Sequence, residues 1–216
     1  MLELDDMQYD RTPPRRRLGG GRAGRVQAAD TGSGTRCLVS REPGGALGEI
    51  EIREVRPEEY EDTGALTQRA YAEYARPGDP LWEDYFGVLA DVAGRAGFAA
   101  VLVAVAGGCI VGTATVELDR TIEGIGGLPP GQASLRLLAV DPGARGRGVG
   151  RQLIEACVQV ARRAGKEILT LHTTEQMVAA QRLYRTLGFR RDLPGDVELH
   201  PDLVLQAFRL PLRSPG

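Results

Sequence analysis

The chain is poor in the residues that build metal centres and disulfide frameworks. Its 216 residues include only two histidines and three cysteines. The cysteines at 37, 109 and 157 are widely spaced and odd in number, which indicates neither a disulfide framework nor a zinc site and favours a reducing compartment. So few imidazoles also exclude a histidine-rich metal centre. The sequence therefore predicts a protein without a metal cofactor.

Charge is nearly balanced, and one basic residue type is almost missing. Lysine occurs once, at Lys166, so arginine supplies the other 26 of the 27 basic residues. The formal net charge of −2 leaves no overall field that would draw the chain to nucleic acid or to a membrane, and we expect neither partner. A charged-then-apolar leader is also missing from the opening residues, so we expect a cytoplasmic protein.

The longest stretch without charge covers residues 96–116, a length that could span a membrane. It is interrupted by Gly107-Gly108 between two runs rich in β-branched residues, which is the pattern of a β-hairpin. The sequence therefore predicts strands at 98–106 and 109–118 rather than a transmembrane helix.

Residues 1–48 are rich in glycine and arginine and poor in large apolar residues. They hold nine glycines and eight arginines without a helical or strand period. Such a composition is typical of a disordered or poorly packed extension, with an RNA- or protein-docking arm as the alternative. We therefore expect one globular domain over residues 49–216, long enough to bury a sizeable core.

The rest of the chain is organised around an apolar run that passes into a glycine-rich arginine loop and then a helical pattern. Residues 135–140 are apolar except for Arg136, as in a strand buried on both faces. Asp-Pro-Gly at 141–143 stops that strand. From Val149 onward, apolar residues recur at helical spacing. The predicted order is strand, loop and amphipathic helix.

The loop has the composition of an anion-binding site. Glycines at 146, 148 and 150 allow close backbone approach, the helix N-terminus adds positive potential, and arginines at 145, 147 and 151 add full charges. It lacks the Gly-Lys-Ser/Thr ending of a P-loop, and its glycines have the wrong spacing for a dinucleotide fold. The pattern indicates a site for pyrophosphate or a similar polyanion, with an arginine-rich surface turn as the alternative.

A second pattern lies downstream at residues 183–189, which read Leu-Tyr-Arg-Thr-Leu-Gly-Phe. Together with Arg145-x-x-Gly148-x-Gly150, it resembles the paired signatures of the GNAT superfamily of N-acetyltransferases. The resemblance extends over residues 49–210. It implies an α/β (α+β) fold, a mixed and mostly antiparallel seven-stranded sheet that is splayed between strands 4 and 5 and has flanking helices.

The hydrophobic pattern places the elements of such a sheet along the chain. The expected strands cover 50–55, 98–106, 109–118, 134–140, 167–173, 189–191 and 204–210. The expected helices begin at Pro57 and cover 81–92, 149–164 and 177–187.

The resemblance implies that acetyl-CoA is the cosubstrate and lies where the fourth and fifth strands diverge. Backbone groups of Leu138, Ala139 and Val140 would pair with the pantetheine arm, and the N–H of Val140 or Ala139 would donate to the thioester oxygen. The pyrophosphate would lie on N–H groups of the loop and helix start, at Arg145, Gly146, Arg147, Gly148, Val149, Gly150 and Arg151.

Acetyl transfer to an amine needs a base for the attacking nitrogen and an acid for the departing thiolate. Tyr184 matches the family tyrosine that acts as general acid, with a core aromatic at helical spacing as the alternative. The candidates for the base are Glu117, at the end of the third strand, and His172, near the end of the fifth. Either could instead be structural, as a solvated strand end or a hydrogen-bonded histidine.

One position departs from the family pattern. Many members carry an asparagine seven residues before the tyrosine, where it contacts the pantetheine arm, whereas this chain has Met177. That contact is therefore lost or supplied by Thr173, Thr174 or Gln176.

These features predict an N-acetyltransferase that acts on a primary amine of a small molecule or peptide. The alternative is a non-catalytic acyl-CoA-binding sensor, which the missing asparagine slightly favours and Tyr184 disfavours. The oligomeric state stays open, with a homodimer as one expectation.

Overall fold

The computed structural model describes residues 48–75, 78, 80–120, 128–200 and 203–212. The predicted extension over residues 1–48 lies outside this range apart from its last residue, so its disorder stays a prediction. The described strands are β1 Ile50–Glu54, β2 Ala100–Ala106, β3 Cys109–Glu117, β4 Gln132–Val140, β5 Ile168–Thr173, β6 Arg190–Arg191, β7 Val197–His200 and β8 Leu203–Pro211. The described α-helices are α1 Tyr60–Tyr71, α2 Pro80–Ala90, α3 Val92–Ala96, α4 Val149–Arg163 and α5 Val178–Thr186.

These strands form one sheet in the order β1-β2-β3-β4-β5-β8-β6, with β7 paired to β8. The pairs are antiparallel except for β4 and β5, which are parallel. That exception follows from chain order, because β4 and β5 are joined through α4, and a helical crossover returns the chain in the same direction. The arrangement confirms the predicted class, a mixed and mostly antiparallel sheet with flanking helices.

The described strands number eight rather than the seven predicted. The additional strand is β7, whose pairing with β8 involves residues 203–205. Its apolar side chains Val197 and Leu199 are 42% and 51% exposed, so they show no pattern of burial that marks a strand. Pairing with β8, rather than burial, makes this segment extended.

The predicted helix over 81–92 ends at Ala90, and the short helix α3 follows it. Asp91 lies between the two helices, and its carboxylate accepts a hydrogen bond from the N–H of Gly94 at 2.8 Å. Aspartate in this position caps a new helix start, which explains the break.

The charge-free stretch over 96–116 forms the predicted hairpin, since β2 and β3 pair antiparallel on either side of Gly107 and Gly108. Their φ angles of 57° and 77° suit the tight turns that join hairpin strands, and such angles favour glycine. Among the described residues, no helix is long and apolar enough to cross a membrane.

Helices cover both faces of the sheet near β3 and β4. On one face α1 packs through Leu66 and Ala70 against Ala139 of β4. On the other face α4 buries an apolar stripe in the main core together with residues of β2, β3 and β5. The buried residues of α4 are Val149, Leu153, Ile154, Cys157 and Ala161.

A glycine sets how closely α4 approaches the sheet. A Cβ at Gly112 of β3 would lie 2.9 Å from Val149 Cγ1 and 3.0 Å from Leu153 Cδ1, both in α4. It would also lie 3.0 Å from the carbonyl oxygen of Ala139. These distances are shorter than ordinary carbon contacts, so a side chain at this position would push the start of α4 away from β3.

We therefore expect Gly112→Ala to lower the free energy of unfolding by about 1–3 kcal/mol, as overpacking does in other cores. Denaturant unfolding would measure it. Gly87→Ala is the matched control, because a Cβ there meets nothing within 4 Å and alanine is favoured over glycine in a helix. That control should be at least as stable as the wild type. Equal stability of the two variants would show that α4 does not depend on Gly112.

Candidate active site

Strands β4 and β5 are hydrogen-bonded over only part of their length. Their parallel register ends where Leu135 lies opposite Leu171. Beyond this pair, β4 continues to Val140 against β3, and β5 continues to Thr173 against β8. The sheet therefore opens between β4 and β5, at the position of the splay that the sequence analysis predicted between the fourth and fifth strands. We call this opening the splay.

A bulge in β4 lies beside the splay. Thr113 pairs with Ala139 and Thr115 with Arg136, so one β3 residue faces two β4 residues between these pairs. One of the two, Leu137, has a φ of 50°, a left-handed conformation that costs a residue with a side chain roughly 1–2 kcal/mol. Because bulges bend a strand and increase its twist, this one changes the course of β4 where it parts from β5.

The register also determines which backbone groups of β4 face the splay. Asp141 donates its N–H to the carbonyl of Val111 at 2.9 Å, so Asp141 is turned toward β3. Backbone groups of successive strand residues point to opposite sides, so the N–H and carbonyl of Val140 point toward the splay. Ala139 lies opposite Thr113, and the same alternation turns its backbone toward β3. Val140 is therefore the better placed of the two predicted oxyanion donors.

The loop from β4 to α4 ends in a helix start that is accessible to an anion. Gly148 is the N-cap of α4 with a φ of 82°, and Gly146 has a φ of 75°. The space around Gly146 is open, since a Cβ there would meet nothing within 4 Å. No described side chain caps this end, and the first turn of α4 contains no acidic residue. Its N–H groups and the helix dipole are therefore available to a negatively charged ligand.

The first arginine of the loop makes contacts within the protein. Arg145 Nη1 lies 2.7 Å from a carboxylate oxygen of Glu73. Arg145 Nη2 donates to the carbonyl of Ala70, and its Nε donates to the carbonyl of Val140, both at 3.3 Å. Arg145 thus connects the loop to the end of α1. Its direct role toward a pyrophosphate stays a prediction.

The other two arginines lie at the helix start. Arg147 is half-buried, whereas Arg151 is exposed and lies 3.5 Å from Glu155, one turn further along α4. Exposed pairs of this kind are worth a few tenths of a kcal/mol, so Arg151 can exchange its partner at little cost. Binding of a ligand by either arginine also stays a prediction.

Helix α5 brings Tyr184 to the same end of the sheet. A Cβ at Gly150 would lie 3.2 Å from Leu183 Cδ2 and 3.6 Å from Val140 Cγ2. The start of α4, the end of β4 and α5 therefore pack together, and the glycine allows this close approach. Tyr184 follows Leu183 in the chain, so it lies next to the predicted coenzyme site.

The ring of Tyr184 packs in the core. It is 6% exposed, and its centroid lies 5.8 Å from that of Phe189 and 6.2 Å from that of Phe208. A phenol is protonated at neutral pH, and burial raises the pKa of this one well above its ordinary value, so the hydroxyl keeps its proton to higher pH as well. A general acid for a departing thiolate must hold its proton in this way. Core packing and the acid role are therefore compatible.

Glu117 is buried rather than solvated. Its side chain is 0% exposed, and it lies opposite Ser134, one position before the last pair of β4 and β5. By strand alternation it shares the α1 face of β3 with Thr113 and Thr115. The alternative of a solvated strand end was therefore wrong. The role of Glu117 as the base stays a prediction.

His172 is held by the backbone. Its Nε2 lies 2.9 Å from the carbonyl oxygen of Gly195, in the 3₁₀ turn Leu193–Gly195, so Nε2 carries a hydrogen. Its Nδ1 is buried and has no hydrogen-bond partner among the described residues. The hydrogen bond to Gly195 fixes the ring against the 3₁₀ turn, which favours the structural interpretation of His172.

Met177 is the N-cap of α5 and makes no side-chain hydrogen bond there. Gln181, one turn later, donates from Nε2 to the carbonyl of Thr174 at 2.9 Å and accepts from Arg185 at 3.0 Å. The carbonyl of Thr174 therefore already has a partner within the protein.

An aromatic cluster that was not predicted lies at the end of α1. The rings of Tyr71 and Tyr74 lie 6.5 Å apart, and that of Tyr85, in α2, lies 6.2 Å from Tyr71. Burial raises the pKa of the Tyr71 phenol, and the neighbouring phenols, that of Tyr85 first, add to the effect. A signal was present, since four of the six tyrosines and the single tryptophan fall within residues 60–85.

Comparison with known protein families identifies the family of this chain. The model of the acetyltransferase (GNAT) family matches residues 52–189, well over half of the chain. The chain belongs to the acetyltransferase (GNAT) family. The match runs from β1 to Phe189, so it includes both the loop before α4 and the segment around Tyr184 that carried the resemblance.

Two curated relatives are acetyltransferases by name. The chain is 37% identical over 86 residues to the N-alpha-acetyltransferase RimI of Mycobacterium tuberculosis, which covers 39% of this chain and 48% of that protein. It is 32% identical over 151 residues to mycothiol acetyltransferase of Thermobispora bispora, which covers 66% of this chain and 47% of that protein. The chain thus spans about half the length of these two relatives, and 23% of an uncharacterized protein, ML0378, from Mycobacterium leprae.

Solved structures of the GNAT family share the fold at low identity. A GNAT acetyltransferase from Staphylococcus aureus Mu50 superposes with a TM-score of 0.60 at 19% identity, over 76% of this chain and 100% of that one. The structure of yncA, a putative acetyltransferase from Salmonella typhimurium with its cofactor acetyl-CoA, has a TM-score of 0.57 at 22% identity, over 78% and 97%. These similarities show the common fold.

Proposed function

We propose that this GNAT protein is an N-acetyltransferase that transfers an acetyl group from acetyl-CoA to a primary amine of a small molecule or peptide. The main support for the proposal is that three features lie together at one end of the sheet. They are the splay, the open start of α4 and Tyr184. The two relatives are named for different acceptors, so the proposal stops at the amine class. Location in the cytoplasm and a homodimer stay predictions.

The residues at the splay fit acetyl-CoA, which when bound supplies the activated acetyl group. The N–H of Val140 points to the splay. The bulged residues Leu137 and Leu138 lie just before it in β4 and would run alongside the pantetheine arm. The left-handed glycines 146 and 148 leave the N-terminal N–H groups of α4 open to the pyrophosphate. Among the described residues, no group of three or more metal-binding side chains is arranged around a common point.

The transfer forms one bond from the amine nitrogen to the acetyl carbon and breaks the bond from that carbon to sulfur. Val140 donates its N–H to the carbonyl oxygen as negative charge develops there. Tyr184 gives its proton to the departing sulfur. Glu117, directly or through water, takes the proton that the amine nitrogen loses.

The acceptor would approach from the α1 face. Tyr71, Tyr74 and Tyr85 form an aromatic cluster at the end of α1 on that side, while α4 covers the opposite face. Tyrosines offer an apolar ring and a polar tip, which suits a pocket that holds the carbon skeleton of an amine beside its reacting nitrogen.

The proposal is tested first by acetyl-CoA binding and then by acetyl transfer to amines. At about 100 times its Kd, acetyl-CoA should stabilise the protein by roughly 2.7 kcal/mol, a rise in Tm of about 5–10 °C. Dephospho-CoA should act nearly as well, and pantetheine alone should not. A panel of peptide and small-molecule amines, followed by thiol release, then tests catalysis. Binding without turnover on any amine would support the acyl-CoA sensor instead, and equal shifts with pantetheine would contradict the pyrophosphate site.

A further inference from the structure

Thr173, the last residue of β5, has a buried hydroxyl that makes no hydrogen bond with any described residue. Its side chain is 3% exposed, and Oγ1 makes no hydrogen bond there. Buried polar groups in folded proteins almost always have a partner, so an exception calls for a specific explanation. An exception at the edge of a ligand site is explained when the ligand supplies that partner.

The position of Thr173 places this hydroxyl on the wall of the splay. It lies beyond the last pair of β4 and β5, and its own pairing is with Gln206 of β8. Side chains alternate along a strand, so Thr173 shares a face with Leu169 and Leu171, which pack in the same core as Tyr184. The hydroxyl is therefore on the side of the sheet from which α4 and α5 contribute to the coenzyme site.

We propose that Thr173 Oγ1 hydrogen-bonds the pantetheine arm of acetyl-CoA and supplies the polar contact that Met177 cannot make. The proposal rests on the proposed function, since it assumes that acetyl-CoA binds in the splay. The arm contains amide groups, and a threonine hydroxyl can both donate and accept, so either side of an amide satisfies it. Of the three residues that could replace the contact, Thr173 is the one with a buried hydroxyl that lacks a described partner.

Thr173→Val tests the proposal, because valine keeps the shape of threonine and removes the hydroxyl. Calorimetric titration should show acetyl-CoA binding about 3- to 10-fold more weakly, the loss of one uncharged hydrogen bond. Thr173→Ser should bind within about twofold of the wild type. In the absence of coenzyme, Thr173→Val should have a Tm equal to or above the wild type, because it removes a buried polar group without a partner. Weaker binding with undiminished stability separates a ligand contact from a structural one.

Thr63→Val is the matched control. Thr63 is also fully buried with an Oγ1 that lacks a hydrogen-bond partner among the described residues, but it lies in α1 on the opposite face. Its replacement should leave acetyl-CoA affinity unchanged. Adenosine 3′,5′-bisphosphate, which lacks the pantetheine arm, should bind wild type and Thr173→Val equally.

The results separate failure of this inference from failure of the proposed function. If the wild type does not bind acetyl-CoA, the proposed function fails and the inference with it. If the wild type binds and Thr173→Val binds equally well, the inference alone is overturned. A loss that appears equally with adenosine 3′,5′-bisphosphate, or a loss that serine does not restore, would also overturn it.

Discussion

Gly148→Asp is expected to weaken acetyl-CoA binding at least about 100-fold and to leave the protein folded. The glycine caps α4 with a φ of 82°, where the free N–H groups of the helix start would meet the pyrophosphate. A carboxylate there opposes a second negative charge. Like charges about 4 Å apart at an effective dielectric constant of 20 repel by roughly 4 kcal/mol, more than a 100-fold change in Kd requires. Aspartate is a favoured helix cap and tolerates left-handed φ better than most residues, so folding should survive.

Gly148→Asn separates charge from bulk in this experiment. Asparagine has nearly the same size and the same tolerance of left-handed φ, but it adds no charge. We expect it to weaken binding much less than aspartate does, with both affinities measured by calorimetry at two salt concentrations. The difference between the variants should shrink as salt rises, because screening weakens the repulsion. Equal losses for Asp and Asn would assign the effect to blocked backbone approach, and wild-type affinity in Gly148→Asp would place the anion elsewhere.

Tyr184→Phe is expected to lower kcat by about 10²–10⁴-fold, the usual contribution of a general acid, with little change in acetyl-CoA affinity. Phenylalanine keeps the ring that packs against Phe189 and Phe208 and removes the proton donor. The loss should lie in the chemical step, so a pre-steady-state burst should be absent in the variant. Turnover at the wild-type rate would show that Tyr184 is a core residue and no more.

Tyr60→Phe is the control for this experiment. It removes a phenol hydroxyl at the start of α1, away from the end of the sheet where Tyr184 lies, so kcat should not change. The pH dependence supplies an independent readout. Burial raises the pKa of the Tyr184 phenol, which moves loss of its proton to higher pH. The wild-type rate should therefore show no decline from ionisation of Tyr184 below about pH 10, the ordinary phenol pKa.

Local sequence patterns predicted most of the strands and helices. The glycine pair at 107 and 108 identified a hairpin inside an uncharged stretch long enough to span a membrane. The run of residues 135–150 identified a strand, a glycine loop and a helix start in the correct order. These features depend on backbone conformations that nearby glycine and proline permit or forbid, so a short window of sequence contains the information. β7 was not predicted, because its exposed residues 197–199 show no alternation of buried and exposed side chains.

The same local patterns did not predict the surroundings of individual side chains. Glu117 was predicted as a candidate base, with a solvated strand end as the alternative, and the structure buries it completely. Arg145 was predicted to add charge to the pyrophosphate site, and local patterns did not indicate that its guanidinium also contacts Glu73 and the carbonyl of Ala70. The partners of Arg145 lie at the end of α1 and in the turn that follows it, far away in the chain.

By itself, the amino-acid sequence determined the family, the order of the elements and the loop that opens α4, because these follow from residues close together in the chain. Only the tertiary structure decided which β4 backbone groups face the splay and that burial raises the pKa of the Tyr184 phenol. It also decided that the buried hydroxyl of Thr173 has no hydrogen-bond partner among the described residues. Burial and hydrogen bonding depend on which distant segments pack against a residue. Those contacts are made by the fold as a whole and cannot be derived from any single stretch of the chain.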